Sequence, residues 1–343
     1  MTRHDLTIRG GGIFGLSIAW QAARGGARVR LIEITQIGAG SSGGLVGALA
    51  PHVPENWNEK KQFQLESLLM AEAFFTSASE ASGLPTGYGR LGRLQPLADA
   101  AAVALAQTRS KNARSLWQGQ AEWLVVQANQ PWHPPSPTGL LVHDTISARL
   151  NPRQTGLALA EAIRVRGGQV IIGDAEDHGP TIHATGIAGL TALSADLNRD
   201  IGAGVKGQAV LLAHDARTQP QLFIDALHIV PHLDGTTAIG STSENDWKDP
   251  TSTDTRLDTL LDKACMLFPA LKDAPVLDRW AGIRPRARSR APILGPWPGR
   301  PGHYVANGGF KIGYGMAPKV ARTMIDLVLT QTDTIPDGFR LTP

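Results

Sequence analysis

Gly10, Gly12 and Gly15 stand at G-x-G-x-x-G spacing, and Glu33 lies 18 positions after the last of them. These residue types at this spacing suit one kind of chemistry, the holding of a dinucleotide. Gly10 permits a tight turn. Gly12, followed by Ile13 and Phe14, lets the backbone approach a pyrophosphate. Gly15 lets the following helix pack on the strand. The free N–H groups at that helix start attract the anion. Glu33 can accept hydrogen bonds from both ribose hydroxyls, and its charge repels a 2′-phosphate, which disfavours NADP. The pattern does not separate FAD from NAD, and an unliganded βαβ turn can carry the same glycines.

The elements that must position these residues can be read around them. Residues 5–33 predict strand, turn, helix and strand, ending at the acid. Arg9 stands where such a strand usually carries an apolar residue, so it must face solvent or pair with an acid. Residues 38–47 are too rich in glycine and serine for an element. Apolar residues at helical spacing predict helices over 62–82, 98–117 and 252–268. Asn151 and Pro152 are a cap and a first helical residue, and the helix they start is expected to end before Gly167. Short strands are expected over 140–143, 169–172, 181–186 and 304–306, with a last helix over 318–330. Alternating strands and turns over 205–245 predict an antiparallel sheet. The expected class is α/β, a Rossmann-type nucleotide-binding domain with an inserted α+β substrate domain built on an antiparallel sheet. The expected division is 1–83, 140–205 and 278–343 for the first, with 84–139 and 206–277 for the second.

Other chemistries find little support. Residues 40–44 match G-x-S-x-G, but a nucleophile elbow needs a strand directly before it, and glycines stand there instead. The ten histidines form no H-E-x-x-H pattern and have no cysteine partners, so no metal is expected. Net charge is +3 with no lysine-rich block, which gives no reason to expect nucleic acid. The single cysteine, Cys265, sits in an apolar helical run and reads as a core residue in a reducing, cytoplasmic protein. No 18-residue apolar span is present.

Four blocks together are more specific than the glycines. They are 5–33; 151–170; 205–208 with 229–235 and 239–244; and 280–285 with 291–295 and 305–318. On these the chain resembles the D-amino-acid-oxidase-like family of FAD enzymes, and the last block is most similar to that of glycine oxidases. The resemblance implies noncovalent FAD, held also by Ser41, Ser42, Gly43 and Gly44 in the loop, by Ala48 and Leu49 after it, and by Gly186. It implies that Gly308, Gly309, Phe310, Lys311, Ile312 and Gly313 face the flavin, where the following helix start favours negative charge on the ring.

Arg284 matches the position that holds the substrate carboxylate, and its fork suits that geometry. Lys311 stands where the family commonly has arginine, so it can touch substrate, touch flavin or pair with an acid. The implied reaction is oxidation of an amine or amino acid by hydride transfer to flavin N5, giving an imine that hydrolyses, with oxygen as acceptor. A dehydrogenase feeding a quinone or carrier, or a tRNA-modification oxidase, are the alternatives. His52 is either an active-site or a loop residue. Tyr88, Trp117, Trp123 and Phe223 are unranked candidates for specificity in the inserted domain.

Overall fold

The computed structural model describes residues 4–341. Its first unit is β1 (Leu6–Arg9), α1 (Ile13–Arg24) and β2 (Val29–Glu33). Next come β3 (Ala48–Leu49), α2 (Glu59–Ser82), β4 (Arg93–Pro96), α3 (Ala100–Leu116), β5 (Trp123–Gln127), β6 (Leu140–Asp144) and β7 (Ala148–Arg149). The middle of the chain gives α4 (Pro152–Val165), β8 (Gln169–Ile172), β9 (Thr181–His183) and α5 (Gly186–Asp196). Then follow β10 (Gly202–Leu212), β11 (Gln221–Ile224), β12 (Leu227–Pro231), β13 (Thr237–Gly240) and α6 (Thr255–Leu267). The last elements are β14 (Val276–Ala287), β15 (Ile293–Pro296), β16 (His303–Asn307) and α7 (Gly313–Thr330).

Two large sheets organise them. One has six strands in the order β15-β16-β9-β1-β2-β8, parallel except for β15. Leu6, Ile8, Leu31 and Ile32 are buried on successive or alternate positions, the continuous apolar pattern that a sheet covered on both faces requires. The other sheet has eight strands in the order β14-β10-β13-β12-β11-β4-β6-β5 and is antiparallel except where β11 meets β4. The expected α/β class with an antiparallel second sheet is therefore what the chain adopts. Residues 140–144 and 276–287, which the sequence reading grouped mainly with the nucleotide-binding segments, are strands of the eight-stranded sheet.

Local chemistry sets most helix ends. Asn151 caps α4, its side chain accepting from the N–H groups of Arg153 and Gln154, and Pro152 is the first helical residue. Asn58 caps α2 and starts it three residues before the apolar periodicity begins; Gly83 ends it at φ 72°. Asp99 and Asp254 cap α3 and α6, which trims both at the start relative to the periodicity. Helix α7 corrects the sequence reading more. It begins at Gly313, five residues before Pro318, and carries that proline inside it. Gly313 and Gly315 have weak helix propensity, so this turn gives no sequence signal. The loop at 38–47 also holds a turn of 3-10 helix, Ser41–Gly43, because Gly43 packs against the Gly38 carbonyl where a Cβ would come within 2.3 Å.

Arg9 resolves as an ion-paired strand end. Its Nε donates to Asp177 at 2.7 Å and its Nη1 to Asp174 at 2.9 Å. The main core joins the two sheets through Leu16, Ile18, Trp20, Phe74, Phe75 and Met316. A second core lies under α6 and includes Val210, Leu222, Ile229, Leu257 and Phe268, with Cys265 packed at its edge.

Candidate active site

The G-x-G-x-x-G glycines divide by what surrounds them. At Gly10 the backbone has φ 111° and an added Cβ would lie 2.4 Å from the Ala184 carbonyl oxygen. At Gly15 a Cβ would lie 1.9 Å from the Gly10 carbonyl oxygen, so this glycine seats α1 on the end of β1. At Gly12 the nearest atom is Ser42 Oγ at 3.2 Å, and the backbone is extended. Gly12 therefore meets only the Ser42 side chain and is free of backbone packing. It lines a cavity of about 690 Å³ running from the glycine turn to the eight-stranded sheet.

Three helix starts meet this cavity. Gly12 and Ile13 at α1, Gly186 and Ile187 at α5, and Ile312 and Gly313 at α7 all line it. None of the three helices is capped by the side chain of its own N-cap residue. Ser42 instead reaches back, its Oγ accepting from the Ile13 N–H at 3.0 Å. Uncapped helix starts aimed at one cavity put N–H donors and positive potential where an anionic ligand would sit. At the end of β2, Glu33 lines the same cavity and is fixed by N–H donors of Gly11 at 2.6 Å and Thr35 at 3.0 Å.

The rest of the wall is small or flat. Ser41, Ser42, Gly44 and Ala48 line one side. Trp280 lies over Gly44 and Gly282, with a Cβ on Gly282 falling 2.4 Å from the indole. Gly309 faces the Phe14 ring, where a Cβ would lie 2.9 Å away, and Phe310 and Lys311 follow on the wall. The Tyr314 hydroxyl donates to the Ser42 carbonyl at 2.6 Å and ties the start of α7 to the loop. Asn307 Nδ2 donates to the Gly186 carbonyl at 2.8 Å and does the same for α5.

At the other end, β14 presents Arg284 opposite Val205 on β10. Arg284 is 8% exposed, and its Nη1 donates only to the Thr242 carbonyl, at 3.2 Å. Burial pulls its pKa down to about 10, against the pull of Glu244, so it stays charged at neutral pH. Glu244 is not its ion-pair partner; that carboxylate is held by Arg256 at 2.7 Å and Gln208 at 2.9 Å. Lys311 lies nearby, its ammonium 5.7 Å from the Phe310 ring centre. Burial first, and Arg284 second, hold its pKa below the usual lysine value. Among the described residues no carboxylate forms an ion pair with Arg284 or Lys311. Two cations on one cavity wall without counter-ions give that part of the wall a positive potential.

Gly207 makes room for Arg284. A Cβ there would fall 1.8 Å from Arg284 Nη1. Gly207→Ala should therefore displace the guanidinium while leaving the glycine turn untouched. For a carboxylate ligand of this wall the expected result is a dissociation constant raised by about tenfold or more, with binding at the glycine turn unchanged. Equal losses of both would show that the glycine serves folding alone.

Gly15, Gly43, Leu49 and Gly308 are packing residues behind the wall rather than on it. The remaining candidates from the sequence, Gly10, Gly12, Ile13, Phe14, Glu33, Ser41, Ser42, Gly44, Ala48, Gly186, Arg284 and 309–313, share the one cavity. His52 is off the wall. Its backbone N–H donates to Gln64 Oε1 at 2.8 Å, and its ring also bonds that atom. Gln64, not His52, reaches the cavity. Of the four aromatic candidates only Phe223 lines it. Trp117 and Trp123 pack edge to face at 6.2 Å, and Tyr88 stacks on Phe75 at 5.8 Å. Arg93, His228, Trp280 and Tyr314 line the cavity without a local sequence signal, since strand pairing and helix packing bring them there. No group of three or more metal-binding side chains occurs among the described residues.

Comparison with known proteins decides what this arrangement belongs to. A family model described as FAD dependent oxidoreductase matches residues 5–327. The chain belongs to that family. The bifunctional protein ThiO/ThiG of Synechocystis sp. is 28% identical over 359 residues, covering 96% of this chain and 52% of that protein. The chain thus spans about half the length of the first curated relatives it matches. The glycine oxidase of Bacillus licheniformis is 24% identical, covering 95% of this chain and 93% of that protein. The crystal structure of glycine oxidase from Geobacillus kaustophilus shares the fold with a TM-score of 0.85 at 21% identity, covering 100% of this chain and 99% of that one.

The residues of this FAD-dependent oxidoreductase fit the cofactor its family uses. The uncapped start of α1, the absence of backbone packing at Gly12 and the fixed Glu33 suit an adenosine diphosphate. The small and flat walls at Gly44, Trp280 and Gly309 suit a flat ring system.

Proposed function

We propose that this protein oxidises a small amine, an amino acid in particular, and passes the electrons to oxygen. The observation that carries the reading is the pair of unpaired cations, Arg284 and Lys311, on the wall of the FAD-sized cavity. FAD, when bound, supplies the two-electron acceptor, at N5, for the hydride that leaves the carbon bearing nitrogen. Arg284 holds the substrate carboxylate and so fixes which carbon faces the acceptor. Lys311 and the start of α7 stabilise negative charge that develops beside them. Among the described residues Glu33 is the only carboxylate on the cavity wall, and it stands at the glycine turn. His228, the only histidine there, is held down to about pKa 3, first by burial. No carboxylate or histidine of the wall is thus set to take the amine proton, and the amine arrives neutral, having given that proton to water. Once the imine forms, water converts it to an oxo acid or aldehyde and ammonia or a smaller amine, while oxygen takes up the two electrons and two protons lost by the amine and leaves as hydrogen peroxide.

FAD is proposed to be bound noncovalently. The proposed division of labour gives the cofactor to segments 1–83, 140–205 and 278–343 and specificity to 84–139 and 206–277, with the strands β6 and β14 paired into the second sheet. A cytoplasmic location is proposed on the single cysteine. No helix among the described residues is long and apolar enough to cross a membrane.

The reading is tested by oxygen uptake and peroxide release from the holoenzyme with glycine, sarcosine and both enantiomers of common amino acids. Peroxide formed in step with ammonia or amine is the expected result. Substrate-dependent reduction of a dye without oxygen uptake would replace the oxidase by a dehydrogenase.

A further inference from the structure

Arg93 opens β4 and faces the same cavity as Arg284 and Lys311. It is 6% exposed, and its Nε donates to Asp144 Oδ2 at 2.9 Å across the β4–β6 ladder. Asp144 is completely buried, and its Oδ1 accepts from the Ser147 N–H at 2.9 Å. The guanidinium also lies 5.5 Å from the centre of the Phe223 ring. Arg93 is therefore locked at one edge and on one face. Its other edge is free: among the described residues Nη1 and Nη2 have no hydrogen-bond partner. Asp144 cancels the charge but leaves the outer fork, four N–H donors in a planar array that matches a carboxylate. Donors so placed on the cavity wall are open to an acceptor from a ligand.

The three cations share one neighbourhood. His228 lines the cavity beside Phe223, with ring centres 4.7 Å apart. After burial, the influences that keep its ring neutral are Arg93, Lys311 and Arg284, in that order. One carboxylate held by Arg284, with Lys311 assigned to the cofactor side, leaves the Arg93 fork without a ligand.

We propose that Arg93 is a second anion site in the substrate cavity and that the preferred substrate is an amine carrying two carboxylates, one on Arg284 and one on Arg93. The proposal rests on the amine-oxidation reading above and leaves its redox step unchanged. It adds which acids are chosen.

The test measures calorimetric dissociation constants of the holoenzyme for malonate, succinate and glutarate against acetate, none of which can be oxidised as an amine. At least one diacid should bind about tenfold or more tighter than acetate. Arg93→Lys keeps a cation against Asp144 but loses the fork, and should shrink that preference to about threefold or less. In turnover, the kcat/KM of wild type for aspartate, glutamate or iminodiacetate should exceed that for glycine, and the variant should lose this advantage through KM. Acetate binding as tightly as every diacid overturns the second site while leaving amine oxidation intact. A diacid preference that survives Arg93→Lys overturns the role of Arg93. Binding of neither acetate nor diacids, with no amine consumed, overturns both readings. If the variant does not fold, the wild-type comparison of acetate with the diacids decides alone.

Discussion

Arg284→Met is expected to lower kcat/KM for the amino-acid substrate by about 10²- to 10³-fold, mostly through KM. The size follows from the setting. The guanidinium is buried, has a single hydrogen bond to Thr242, and faces the cavity with no carboxylate partner. A ligand carboxylate would receive two charge-assisted bonds there, shielded from water. The same contacts exist before and during oxidation, so their loss weakens binding more than turnover. The fold should survive, because Glu244 keeps Arg256 and Gln208 as partners when Arg284 is gone. Arg284→Lys should fall between, since lysine keeps the charge and loses the fork. Steady-state kinetics of the three proteins would check this. An unchanged KM in Arg284→Met would remove Arg284 from the substrate site.

Gly12→Val is expected to yield a folded, colourless protein whose affinity for FAD is reduced by about a hundredfold or more, or roughly 2.7 kcal/mol. Gly12 has extended φ and ψ that valine adopts readily, and its missing Cβ faces the cavity with only Ser42 Oγ close by. A branched side chain there needs only a small shift of the Ser42 hydroxyl and occupies the space through which a pyrophosphate reaches the N–H groups of α1. Gly15→Val is the control. Its Cβ would strike the Gly10 carbonyl oxygen at 1.9 Å, so it should lower the melting temperature as well as FAD binding. Fluorescence titration of FAD and thermal unfolding would separate the two effects. Tight FAD binding by Gly12→Val would place the pyrophosphate elsewhere.

What the sequence disclosed was mostly local. The glycine turn, the capped start of α4 at Asn151 and Pro152, and the αL end of α2 at Gly83 each follow from the conformational chemistry of a few adjacent residues. Arg284 and Lys311 were legible only through resemblance, because an arginine among four others between 279 and 290 has no local mark of burial. Arg93 had no mark at all. Its importance comes from Asp144, 51 positions away, and from Phe223 on a strand later still. Such pairings are decided by strand register across the eight-stranded sheet, which short-range periodicity does not contain. His52, open in the sequence between an active-site and a loop role, takes the loop role: Gln64 on α2 binds it and holds the cavity position. Helix α7 was cut short in the reading because glycines that favour a close approach to a ligand also hide a helix start.

If one cavity holds FAD at the glycine turn and an amino-acid carboxylate at Arg284, both should show in an anaerobic titration of the FAD-loaded protein with a panel of amino acids and secondary amines, followed at the visible flavin band. At least one amine bearing a carboxylate should bleach the band, air should restore it, and Arg284→Met should need far more of the same amine. A protein that gains no visible band when FAD is supplied, or whose band is bleached equally well by amines lacking any carboxylate, would contradict that placement.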